Sequence, residues 1–138
     1  MKKLKGLIIV LSILLSLFGF TACKGDNNSV NYNSSATYEQ ISAKQAKEIM
    51  DTEKDYAIID ARTDEEFAEG HIENAILIPE YEIADRAEKE LPDKEQLILV
   101  YCRSGRRSKI ASDELVKLGY TNVKEFGGII DWPYEIVK

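Results

Sequence analysis

Two cysteines, Cys23 and Cys102, carry the thiols of this chain, and the second stands where a nucleophile would work. Leu97 to Tyr101 (LILVY) is the strongest strand-like run, and Cys102-Arg103-Ser104-Gly105-Arg106-Arg107-Ser108 follows it at once. Ala111, Leu115 and Leu118 then recur at helical spacing, so the loop joins a strand end to a helix start. In an open parallel sheet, ligands sit at the carboxyl ends of the strands. A loop curling from strand into helix turns several backbone N–H groups toward one point and forms a nest for an anion. Gly105 permits a turn that a side chain would obstruct, and Arg103, Arg106 and Arg107 add positive charge. Such surroundings favour the thiolate and lower a thiol pKa. A thiolate among oriented N–H donors is a nucleophile joined to an oxyanion holder. Three arginines in five residues also fit a solvated basic turn, but that reading leaves the Cys at the end of an apolar strand unexplained.

The remaining reactive residues are few. His71 is the single histidine, so a Cys–His base for Cys102 would have to be this residue. One His and one free Cys assemble no metal site from the usual ligands, and no cofactor is implied. Asp60 and Arg62 close the apolar run Tyr56 to Ala61 (YAIIDA). They face the rim of the same pocket or form an ion pair that fixes their own loop, and both readings stay open. Asp64-Glu65-Glu66 is read as a helix N-terminus stabilised by its dipole.

The elements that must position these residues can be read from pattern. Ser42 with Gln45 is a capping-box signature ahead of Ala43, Ala46, Ile49 and Met50 at helical spacing. Thr63 with Glu66 is a second capping box, opening a brief helix that stops at Gly70. Ala75 to Ile78 is a short apolar run ended by Pro79; Ile83, Ala84, Ala87 and Leu91 mark another helix before Pro92. Asn122 to Phe126 is a last strand, and Gly127-Gly128 leads to a C-terminal helical segment around Ile129 and Trp132. Continuous apolar strands alternating with helices predict an α/β domain, with a mainly parallel central sheet covered by helices on both faces.

Before the domain comes a different kind of sequence. Met1-Lys2-Lys3-Leu4-Lys5 is basic, and an almost unbroken apolar run follows from Leu7 to Phe20. That is the layout of a secretory signal, with an apolar stretch short for a membrane span. Phe20-Thr21-Ala22-Cys23 resembles the lipobox of bacterial lipoproteins, with Phe20 in place of the usual Leu. The resemblance implies that residues 1–22 are a signal peptide and that the Cys23 sulfur receives a diacylglycerol that seats it in the lipid bilayer. An ordinary cleavage site or an uncleaved anchor are the other readings, and each places the rest of the chain outside the cytoplasm at a membrane. Lys24 to Thr37, fourteen polar residues rich in Asn and Ser, reads as a flexible tether reaching about 20 Å. With Cys23 it forms segment 23–37, and the domain occupies 38–138.

Charge narrows the partners. Loss of the three leader lysines leaves 15 basic residues against 24 acidic ones, a net of −9. Such a chain is a poor binder of nucleic acid. With Cys23 carrying lipid, Cys102 has no partner for an internal disulfide, and an exported lone thiol asks for a use.

From Tyr38 to its end the chain resembles a single rhodanese-like domain. The resemblance rests on Asp60-Ala61-Arg62, Glu66-Phe67-Ala68-Glu69-Gly70-His71-Ile72, Ala75-Ile76-Leu77-Ile78-Pro79, the loop Cys102 to Ser108, and Gly127-Gly128-Ile129 with Trp132. It implies a sulfurtransferase. Cys102 would take a sulfane sulfur from thiosulfate or a persulfide and pass it to a thiol or cyanide-like acceptor, with Arg103, Ser104, Gly105, Arg106 and Arg107 binding the substrate. It also implies that His71 serves hydrogen bonding and packing at a strand entrance. Arg106 stands where many relatives have a small or polar residue and favours an anionic donor or acceptor; Asn74 replaces a frequent Gly. Phosphatases and arsenate reductases on this scaffold read Cys-x5-Arg, whereas here the sixth position after Cys102 is Ser108. A binding or redox-sensing module that uses Cys102 for mixed disulfides is the alternative, with phosphatase or arsenate reductase a distant third. Nothing demands more than a monomer.

Overall fold

The computed structural model describes residues 37–138. The leader, Cys23 and the tether up to residue 36 lie outside the described residues. In chain order the elements are β1 (Glu39–Gln40), α1 (Ala43–Thr52), β2 (Tyr56–Asp60), α2 (Asp64–Glu69), β3 (Ala75–Leu77), α3 (Ile83–Glu90), β4 (Leu97–Cys102), α4 (Arg106–Lys117) and β5 (Val123–Gly128). Single 3-10 turns occupy Glu80–Glu82 and Ile129–Asp131.

The five strands form one parallel sheet in the order β1-β5-β4-β2-β3. β4 lies at its centre, which is why LILVYC is apolar at nearly every position rather than alternating. Successive side chains still point to opposite faces. Ile59, Ile98, Val100 and Cys102 pack with Ile83, Ala87, Ala111 and Leu115 from α3 and α4. Ile58, Leu99 and Tyr101 pack on the other face with Ala46 of α1 and with Phe126. The expected α/β architecture is therefore present.

Local chemistry sets the helix starts. Ser42 caps α1 and Thr63 caps α2, each with the reciprocal bond from its third helical residue, Gln45 and Glu66. Each satisfies donors that a helix start leaves orphaned.

Two features differ from the pattern reading. β1 is a two-residue polar strand held by β5, with Glu39 opposite Lys124 and Gln40 opposite Glu125. The C-terminal helical segment is reduced to the 3-10 turn Ile129–Asp131, after which Trp132 is extended (φ −81°, ψ 110°). Pro133 explains it, because a residue before proline is driven out of the helical region.

Candidate active site

Cys102 is the last residue of β4 and is 1 % exposed. Its partner across the sheet is Gly128, reached after a register shift that begins at Val100. The chain then reverses through Ser104 and Gly105 into α4. Gly105 adopts φ 95° at the helix N-cap, a conformation that side-chain-bearing residues rarely take. Its N–H donates to the Cys102 Sγ at 3.1 Å. Burial pushes the Cys102 thiol up, but hydrogen bonds from Ser108 and from the N–H groups of Ser108, Ser104 and Gly105 outweigh it. The thiol ends below its ordinary value. Stabilisation of the thiolate thus comes from hydrogen-bond donors of the loop and the helix start.

The loop rests directly on the end of β5. A Cβ at Gly128 would stand 2.1 Å from the Arg103 carbonyl oxygen and 2.5 Å from the Ser104 Cα, so this position has room only for glycine. The N–H of Ile130 donates to the same carbonyl at 3.2 Å. Gly127 has φ 89°, and its N–H donates to Glu125 Oε1 at 2.8 Å. Glu125 in turn accepts the Ser108 hydroxyl at 2.6 Å, which ties the first turn of α4 to β5.

The three loop arginines separate into two kinds. Arg107 is held by Glu66 of α2, Nη1 to Oε2 at 2.6 Å and Nη2 to Oε1 at 2.8 Å. The Arg107 hydrogen bond holds the Glu66 carboxyl down to about 2, against the opposing effect of burial. Arg103 and Arg106 are exposed and form no ion pair among the described residues. They and Ser104 are the loop's outward-facing residues, with Gly105 buried beneath.

Asp60 and Arg62 are turned on each other. Arg62 donates from its backbone N, Nε and Nη2 to the Asp60 carboxylate at 2.7–3.0 Å, and from Nη2 to the Gly70 carbonyl at 2.7 Å. The Tyr101 hydroxyl donates to Asp60 Oδ2 at 2.5 Å and accepts the Ile72 N–H at 3.1 Å. This buried network joins the α2–β3 connection to the sheet, and neither residue hydrogen-bonds the Cys102 loop. His71 stacks on Phe67 at 3.6 Å, places Nδ1 3.0 Å from the Phe67 carbonyl, and pairs its backbone with Val137. A cavity of about 780 Å³ opens on the α1 side, lined in part by Met50, Tyr56, Trp132 and Tyr134. It contains no residue of the Cys102 loop, so cavity size is a poor guide to the chemistry here. Among the described residues no group of three His, Cys, Asp or Glu side chains is placed to hold a metal ion.

Sequence reasoning missed the supports of the loop. Glu66 was legible as a cap residue and in the family resemblance but not as the partner of Arg107, and Ser108 only as the loop's end. Glu125 did leave a signal, a charge inside a strand two residues before Gly-Gly.

A parallel α/β domain whose central strand ends in a cysteine, cradled by a short loop and a helix start, defines a class built to hold sulfur or an anion against a thiolate. The chain belongs to the rhodanese-like family: the model of the rhodanese-like domain matches residues 42–133. It is 40 % identical over 80 residues to thiosulfate sulfurtransferase PspE of Escherichia coli, spanning 58 % of this chain and 77 % of that protein. It is 34 % identical over 96 residues to thiosulfate sulfurtransferase GlpE of Coxiella burnetii, spanning 69 % and 87 %. Among solved structures, a rhodanese with anions from E. coli matches with a TM-score of 0.57 at 37 % identity, covering 60 % of this chain and 98 % of that one.

Proposed function

We propose that the protein is a rhodanese-type sulfurtransferase that works through a persulfide on Cys102, tethered outside the cytoplasm by lipid on Cys23. The observation that carries the reading is the Cys102 Sγ, held below its ordinary pKa at the base of a loop whose Gly105 N–H meets it at 3.1 Å. Relatives named as thiosulfate sulfurtransferases add weight to it.

The geometry suits two displacements at sulfur. The Cys102 thiolate attacks the outer sulfur of thiosulfate, the S–S bond of the donor breaks, and sulfite leaves with its electron pair. The outer sulfur now forms the end of a Cys102 persulfide anion among the N–H donors of the loop. A nucleophilic acceptor, a thiolate or cyanide, then attacks that sulfur, and Cys102 departs as thiolate. The N–H donors that stabilise the thiolate at the start also stabilise it as the leaving group. No cofactor enters either step. Exposed Arg103 and Arg106 suit attraction of a dianionic donor. Arg107, committed to Glu66, is withdrawn from the role of an oxyanion clamp for a tetrahedral phosphate, which argues against a phosphatase.

Thiocyanate release from thiosulfate and cyanide tests the transfer, and a rate no higher than that of Cys102→Ser would end the proposal. Incorporation of a labelled fatty acid in cells, lost in Cys23→Ser, tests the anchor.

A further inference from the structure

The cavity on the α1 side takes no part in the chemistry of Cys102. Of its lining residues, Ile58 and Ile72 are buried. Ile58 packs with Leu99 and Tyr101, whereas Cys102 packs on the opposite face of the sheet. Three aromatic side chains, Tyr56, Trp132 and Tyr134, line it as well. Its volume of about 780 Å³ falls among those of small-molecule sites, about 300–1,000 Å³.

The walls are fixed in place. Trp132 meets Tyr134 edge-on with ring centroids 4.9 Å apart and leans on Phe126 at 5.5 Å. The Tyr56 hydroxyl donates to the Met50 carbonyl at 3.1 Å. The C-terminal segment that carries Trp132 and Tyr134 is fastened on both sides of them. Ile130 donates its N–H to the Arg103 carbonyl at 3.2 Å, and His71 and Val137 exchange backbone bonds at 2.9 and 2.8 Å. A site already shaped in this way binds without first ordering its own side chains.

Charge selects the occupant. Lys47, Asp51, Glu73 and Glu135 line the cavity, one cation against three carboxylates. Lys47 is engaged with Asp51, and its Nζ lies 5.8 Å from the centroid of the Tyr134 ring. The wall thus already holds an ammonium over an aromatic ring beside a carboxylate, an arrangement that ring quadrupoles favour. Lys47 and Asp51 cancel. Glu73 and Glu135 form no ion pair among the described residues, which leaves a net of −2 around the rings. Such a field repels an anion such as thiosulfate and draws a cation.

We propose that this cavity is a second ligand site, for an organic ammonium ion with an aromatic or alkyl body. The rings of Tyr56, Trp132 and Tyr134 receive the body and its charged head, and Glu73 and Glu135 supply the opposing charge. No residue lining the cavity belongs to the Cys102 loop, so the ligand is not a substrate of sulfur transfer.

The test titrates the full-length protein with three probes that share an aromatic body and differ in charge: benzyltrimethylammonium, benzyl alcohol and phenylacetate. Trp132 is the one tryptophan of the chain, so its fluorescence reports on the cavity, and calorimetry follows the same titrations. The cation saturates at a concentration roughly tenfold below that of benzyl alcohol, and phenylacetate binds most weakly. Glu73→Gln combined with Glu135→Gln, both at exposed positions, removes most of the preference for the cation and leaves benzyl alcohol unmoved. Asp93→Asn combined with Glu95→Gln, in a separate acidic groove, leaves all three curves in place. A cation that saturates neither signal overturns the proposal, as does one that binds no more tightly than benzyl alcohol or phenylacetate. A cation curve unmoved by the Glu73 and Glu135 exchanges overturns it too, and so does equal weakening by both double variants, the mark of diffuse attraction to an acidic surface. Cys102→Ser binds the cation as the native protein does, so this titration and the thiocyanate assay fail independently.

Discussion

Arg107 and Glu66, 41 residues apart, meet through both terminal nitrogens of the guanidinium and both oxygens of the carboxylate. Glu66 Oε2 also accepts the Thr63 N–H at 3.1 Å, completing the cap of α2. One side chain therefore fixes the start of α2 and the outer arm of the Cys102 loop. Arg107 is removed from the anion site, and the loop keeps Arg103 and Arg106 for contact with solution.

That pair predicts an acid transition. The Glu66 carboxyl is lower in the folded state, about 2, than its ordinary 4.5. The stability it contributes is complete above about pH 4.5 and is lost as the pH falls toward 2. Thermal melts across this window show a smaller decline for Glu66→Gln than for the native protein. At neutral pH, Glu66→Ala removes the pair together with the acceptor of the Thr63 N–H, leaves the Thr63 hydroxyl capping the Glu66 N–H, and costs about 1–2 kcal/mol, measured by urea denaturation.

Gly128→Ala displaces the loop. The new methyl would lie 2.1 Å from the Arg103 carbonyl, so Arg103 and Ser104 must move and the donor array around the sulfur opens. Thiocyanate release falls by roughly a hundredfold, as for other loops that hold a nucleophile in place. The Cys102 pKa rises toward that of a free thiol, read by alkylation.

Tyr101→Phe is a stability variant and not a catalytic one. It strips Asp60 of a donor and leaves the Ile72 N–H without its acceptor. The cost is about 1–3 kcal/mol, read by denaturant unfolding. The Cys102 alkylation profile stays at the native position, because Tyr101 and Cys102 face opposite sides of the sheet.

Arg106→Ala weakens capture of an anionic donor. KM for thiosulfate rises roughly three- to tenfold with kcat retained, and the effect fades at high salt. Stability changes by less than about 0.5 kcal/mol, since Arg106 is an exposed side chain.

The sheet and the place of Cys102 at a strand end were legible because their signals are local. LILVY marked β4, YAIIDA marked β2, and Cys102 stood at a strand end in front of a glycine-bearing turn. β1 carried no such signal: Glu39 and Gln40 are polar, and only the backbone of β5 makes them a strand. Ile129 to Trp132 read as a helix until Pro133 is allowed its steric effect on Trp132. The use of Arg107 depended on a contact with α2 that no short window contains. Asp60 and Arg62 sit at a strand end like Cys102, but side-chain alternation along the sheet sends the Asp60–Tyr101 pair to the α1 face.

The central claim is that sulfur passes through Cys102, and the intact mass of the protein after thiosulfate treatment tests it most directly. The account predicts a gain of one sulfur atom, mapped to the peptide containing Cys102, removed by cyanide with release of thiocyanate and absent from Cys102→Ser. A mass unchanged by thiosulfate and by organic persulfides, with the Cys102 thiol free and reactive, would contradict it.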